Sequence, residues 1–110
     1  MTKLADLTVE GQSGNKYEFE VYPRQTAFNH VGAVYLLTKR TKKSNGTGTH
    51  EFLYVGETGN LSTRFDNHHK QDCFDERGAN CICVHQDGDE KSRRAKESDL
   101  LEGRNWPCND

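Results

Sequence analysis

The chain has 110 residues, 32% hydrophobic and 29% charged, with a formal net charge of −2 and a mean hydropathy of −0.99. No run approaches the ~20 apolar residues that a membrane-crossing helix needs, and the first residues lack a secretory apolar core, which predicts a cytoplasmic protein with no membrane partner. The length fits one folding unit of the usual ~100–150 residues, here 1–110, and the slightly acidic balance argues against non-specific coating of nucleic acid.

In chain order, Leu4, Leu7 and Val9 lead into the turn-rich Gly11-Gln12-Ser13-Gly14-Asn15. Tyr17, Phe19 and Val21 then alternate with Glu18, Glu20 and Tyr22, so a β-hairpin is expected, ended by Pro23. With the connector that follows it, 1–30 reads as an N-terminal extension and 31–110 as the core. Val31 to Thr38 is an apolar run of strand length, Lys39 to His50 a polar loop with turn residues at 44–49, and Glu51 to Gly56 a second strand. Together they predict an antiparallel hairpin whose long tip carries Lys39, Arg40, Lys42 and Lys43. A helix is expected over about Asn60–Lys70, capped by Thr58 or Asn60. A short helix or irregular segment covers Gln71–Arg77, with Cys73 and Phe74 inward and Gly78 ending it. Asn80 to His85 reads as a third core strand. Asp89 caps a last helix over about Glu90–Glu102, Gly103 terminates it, and Trp106 anchors an irregular tail.

The four cysteines are Cys73, Cys81, Cys83 and Cys108. Without a secretory signal, reduced thiols are expected. Cys81 and Cys83 share one face of a strand and behave as small hydrophobes. The zinc-pair spacings C-x2-C and C-x4-C are missing. A zinc-stabilised interaction domain built on Cys73, Cys81, Cys83 and a histidine is one alternative class of function.

The stretch from Tyr54 to His68 carries the chemistry. A strand delivers Tyr54, chain flexibility returns at Gly56 and Gly59, and the expected helix sets Leu61 and Phe65 on one face and Arg64 and His68 on the next. A tyrosine, an arginine and a histidine placed together can handle a phosphate: the guanidinium offers a planar fork and imidazole titrates near neutrality. Glu97, in the middle of the last helix, is a hard oxygen donor suited to Mg²⁺ or Mn²⁺.

LYVGETGNLSTRFDNH resembles the second signature of the GIY-YIG nuclease family, with Tyr54-Val55-Gly56 standing for its YIG. Upstream, Gly32-Ala33-Val34-Tyr35 sits where the first signature belongs, keeping its tyrosine. Downstream, Glu97 in KESDLLEG is similar to the family's metal-ligand glutamate, and Pro107-Cys108-Asn109 to its closing PCN. The resemblance runs from about Val31 to the C-terminus, in the family's order. It implies an α+β (α/β sandwich) fold: a small central antiparallel β-sheet flanked by helices, here with an extra N-terminal β-hairpin.

It further implies a divalent-metal-dependent endonuclease acting on nucleic acid, DNA before RNA. Tyr35 would activate water, Tyr54, Arg64 and His68 would position and neutralise phosphate, and Glu97 would be the sole protein ligand to Mg²⁺ or Mn²⁺. The Asn109 amide either holds the phosphate or fixes the tail; His69 is expected to point away. Gly56, with Lys39, Arg40 and Lys42 of the tip, would contact substrate. Many relatives carry a basic residue after the YIG glycine; Glu57 stands there instead, where it would repel phosphate or attract a second cation unless the tip lysines and arginine compensate. That departure motivates a second alternative, a nucleic-acid-binding module of the same fold with weak or no turnover.

Overall fold

The computed structural model describes residues 3–43, 48–66 and 68–109. Its elements in chain order are β1 (Ala5–Glu10), β2 (Lys16–Pro23), β3 (Ala33–Lys42), β4 (Gly48–Thr58), α1 (Gln71–Arg77), β5 (Cys81–Gln86) and α2 (Glu90–Glu102). The strands form a five-stranded sheet in the order β1-β2-β5-β3-β4. Each neighbouring pair is antiparallel. The N-terminal hairpin therefore extends the core sheet, with β2 hydrogen-bonded to β5. The expected turn at 44–49 falls in part on residues outside the described ones.

The architecture corrects the expected sandwich. An extended antiparallel sheet dominates, and the described residues supply only two short helices, of 7 and 13 residues, in place of helical layers. The helix expected over Asn60–Lys70 accounts for most of the difference. Residues 61–66 are a succession of turns, with i→i−3 bonds from Arg64 N–H to Leu61 O and from Asp66 N–H to Thr63 O. Asn60 Oδ1 does accept from the Ser62 N–H as a cap would, but the segment is held from outside itself: the Leu61 N–H bonds Val31 O, and Arg64 and His68 both reach the Tyr35 hydroxyl. Tertiary bonds of this kind override a local helical preference. Asn67, within the same expected helix, lies outside the described residues.

Elsewhere local chemistry and structure agree. Asp89 adopts an extended conformation and accepts from the Ser92 N–H to start α2, and Gly78 takes a left-handed φ of 77° to stop α1. Apolar side chains pack on both faces of the sheet. One cluster gathers Tyr35, Leu37, Ile82, Leu61 and Phe74; the other gathers Phe19, Val21, Leu36, Leu100 and Trp106. The β3–β4 pairing steps from Leu37↔Tyr54 to Thr38↔Phe52, which makes Leu53 the extra residue of a bulge. Consecutive Leu53 and Tyr54 thereby join the same cluster as Tyr35.

The cysteines divide. Cys81 and Cys83 are free thiols buried on one face of β5, where burial pushes Cys83 up to about 12. Cys73 and Cys108 form a disulfide, contrary to the expectation of reduced thiols throughout. The zinc alternative fails on the same geometry: Cys73 is bonded to Cys108 and packs against the opposite cluster from Cys81 and Cys83.

Candidate active site

Tyr35 faces Gly56 across the β3–β4 ladder. A Cβ on Gly56 would lie 2.6 Å from the Tyr35 hydroxyl and 2.7 Å from Cζ, so the missing side chain is the space that the phenol fills. Phe65 closes one side edge-on, with ring centroids 5.1 Å apart, and Tyr54 lies alongside at 6.0 Å. Three side chains expected to work together do meet here. Arg64 Nε donates to Tyr35 Oη at 2.8 Å, and His68 Nε2 lies 2.9 Å from the same oxygen. The turns at 61–66 thus bring Arg64 and His68 to Tyr35 without the helix that was to carry them.

His68 is buried, and its Nδ1 accepts the Lys70 N–H at 3.0 Å. The neutral ring must then carry its proton on Nε2 and donate it to Tyr35 Oη. Burial, with Arg64 next in effect, lowers His68 from 6.5 to about 4, so the neutral ring is its resting form near pH 7. Tyr35 Oη accordingly receives two N–H groups, an arrangement suited to a phenolate. Burial acts the other way and, with Tyr54, holds the phenol protonated well above its ordinary range, against the pull of Arg64. His68 is in consequence a hydrogen-bond donor to Tyr35 and cannot also accept the phenolic proton at that nitrogen.

The next residue pair along β4 organises Glu97. Glu57 accepts from the buried Arg93 Nε at 2.9 Å and has Arg94 Nε at 3.9 Å, so its charge is compensated by α2. Glu57, expected to repel phosphate or attract a second cation, thus has its cations in Arg93 and Arg94 of α2. Arg93 also donates to Asp87 O at 3.1 Å and fills the notch that Gly32 leaves open. Glu97 is partly buried, and its carboxyl is pushed up by burial and by Glu57 while Arg64, Arg94 and the Glu57 N–H pull it down. Among the described residues Glu97 has no ion-pair partner, and no group of three or more His, Cys, Asp or Glu converges as a metal site. A cation that keeps most of its waters needs few protein ligands, and the Glu97 carboxylate, a hard oxygen donor with no direct ion pair among the described residues, is the group that could hold one.

Of the two roles expected of Asn109, the structure shows the one that fixes the tail. Its Oδ1 accepts the Val55 N–H at 3.0 Å and its Nδ2 donates to Val55 O at 2.9 Å, while the Cys108 N–H bonds Leu53 O at 2.8 Å. The two side-chain bonds fix the tail to the outer edge of β4 and leave the second N–H of Nδ2 as the amide's remaining donor.

The basic tip is not brought to this site. Lys39, Arg40 and Lys42 follow Tyr35 along β3, which at ~3.3 Å per residue puts them roughly 13–23 Å away. They cannot replace a cation beside Gly56. Two neighbours differ from the reading of the sequence: His69, expected to point away, stacks on His68 with centroids 4.6 Å apart, and Arg93, given no role at the site, pairs with Glu57. No local spacing signals the second, because Glu57 and Arg93 lie 36 positions apart on different elements. Compared with protein-family models, curated proteins and solved structures, the chain finds no match.

Proposed function

We propose that this chain is an endonuclease that hydrolyses phosphodiester bonds of DNA with the help of Mg²⁺ or Mn²⁺. The observation that carries the reading is the convergence of Arg64 and His68 on the Tyr35 hydroxyl in the space left by Gly56. Arg64 has two remaining nitrogens to pair with a phosphate, and its charge persists at any working pH. Tyr35, held by two donors, is the group to orient and deprotonate water, which requires the substrate site to lower a phenol that burial has raised. Tyr54 lines the same wall. Glu97 is the residue to hold the cation, whose chemistry would be to neutralise the phosphate and aid the leaving oxygen.

The protonated state of buried Tyr35 favours a second reading, a nucleic-acid-binding module without efficient turnover. Cleavage of labelled single-stranded, duplex and branched DNA, with and without Mg²⁺ or Mn²⁺, separates the two. The nuclease reading expects metal-dependent cutting that falls on the order of 10²-fold or more in Tyr35→Phe and Glu97→Ala. Salt-sensitive binding with no cutting by the unaltered chain establishes the module instead.

A further inference from the structure

The Cys73–Cys108 disulfide joins the two segments of chain that frame the site. Cys73 lies in α1, whose Phe74 ring packs against Tyr54 at 5.4 Å and His68 at 5.0 Å. Cys108 lies in the tail, which hydrogen-bonds the outer edge of β4 at Leu53 and Val55, beside Tyr54 and Gly56. The bond therefore ties the segment that follows His68 to the strand that carries Tyr54. A helix of 7 residues is well short of the ~12–15 needed for marginal stability alone. The tail, which as a terminal segment frays unless tied down, is otherwise held by the buried Trp106 with its bond to Leu100 O and by the bonds of Cys108 and Asn109 to β4.

We propose that Cys73–Cys108 is a reversible thiol–disulfide switch that locks the α1–tail–β4 frame when oxidised and loosens it when reduced. The co-reactant is a dithiol. Its thiolate attacks the sulfur of Cys73, the partly exposed partner, and the S–S bond breaks with its electron pair leaving on Cys108, which is 1% exposed. Cys108 takes up a proton. The second thiol of the reductant attacks the mixed disulfide, releases Cys73 as a thiol, and departs as a cyclic disulfide, so two electrons pass to the protein. Opening removes the only covalent tie on the tail among the described residues. It leaves Asn109 and Cys108 held by hydrogen bonds and packing without a covalent tie, and frees α1 to shift Phe74 away from His68. The effect on catalysis rests on the nuclease reading; the mechanical release does not.

The test compares the oxidised chain with the chain in dithiothreitol, reading amide hydrogen exchange at Val55 and Cys108 together with metal-dependent DNA cleavage. Exchange is expected to quicken on the order of tenfold or more in the reduced chain, as for a locally opened edge. Cleavage is expected to fall on a similar scale, on the order of tenfold, because the site's positioning is relaxed. The Cys73→Ala/Cys108→Ala chain should match the reduced state and ignore dithiothreitol. Equal exchange in the two redox states overturns the switch, and faster exchange with unchanged cleavage overturns its control of the site. Faster exchange with no cleavage in either state upholds the mechanical switch and overturns the nuclease reading instead.

Discussion

At the scale of single residues, Gly56 and His68 set the terms for Tyr35. Gly56→Ala forces its methyl into the Tyr35 hydroxyl, which is wedged by Phe65 and Tyr54 and has no room to yield. The expected cost is about 1–3 kcal/mol of stability, as for overpacked cores, together with loss of any metal-dependent cleavage; an unaltered urea midpoint would show that the ring moves aside freely. His68 gives a pH dependence of definite sign. Its folded value, about 4, is depressed from the 6.5 of the unfolded chain, so the unfolded state binds more protons between those limits. Its contribution is complete above pH 6.5, shrinks as the pH falls, and is exhausted near pH 4. At ~1.4 kcal/mol per pH unit the loss is at most about 3 kcal/mol. His68→Asn should flatten the stability profile between pH 6.5 and 4 relative to the unaltered chain, and a parallel profile would refute the buried neutral imidazole. Tyr35, Arg64 and His68 were legible in the sequence as a group because order along the chain and residue type survive a change of local conformation. The Glu57–Arg93 pair was not, since it depends on how α2 lies across β4.

At the scale of elements, β4 shows why some of the fold could be read and some could not. Strands β2 and β3 announce themselves by alternation and by an unbroken apolar run, and α2 by Asp89 and Gly103 at its ends. The segment after β4 carried equally good helical spacing, but its Leu61 N–H, Arg64 and His68 are drawn to Val31 and Tyr35 and the chain forms turns instead. Spacing of four residues serves a turn as well as a helix, so Leu61 and Phe65 still face inward. The outer edge of β4 was illegible because its partners come from the far end of the chain. Leu53 O and both polar groups of Val55 are met by Cys108 and Asn109. Such cover blunts an edge that would otherwise template pairing with another chain. Asn109→Ala leaves the buried Val55 amide without a partner, and the expected cost is about 1–3 kcal/mol. Asn109→Asp keeps the acceptor but loses the donor, so it should fall between the two in a denaturant titration. An alanine variant as stable as the unaltered chain would show that the two Asn109 bonds do not hold the edge.

Across the whole molecule, long-range ties replace the missing helical layers. The turn of the N-terminal hairpin is clasped by α2: Asp99 accepts from the Ser13 N–H at 2.8 Å, the Ser13 hydroxyl at 2.7 Å and the Tyr17 hydroxyl at 2.6 Å. Phe19 and Val21 of β2 share a cluster with Leu100 and Trp106, so the hairpin is part of the core and not an appendage. The disulfide adds the one covalent closure among the described residues, across 35 positions. A ring of that size restricts the unfolded chain by an amount between those of 15- and 100-residue loops, roughly 3–4.7 kcal/mol. For a chain this small, that is a large part of the ~5–15 kcal/mol that separates folded from unfolded states. Urea unfolding of the intact chain with and without dithiothreitol should therefore show a clear drop in midpoint on reduction. Cys73→Ala/Cys108→Ala should reproduce the lower midpoint and lose the response. If reduction leaves the midpoint in place, the unfolded chain must already be compact enough that closing the ring removes little freedom, and the α1–tail–β4 frame stands on its hydrogen bonds and packing alone.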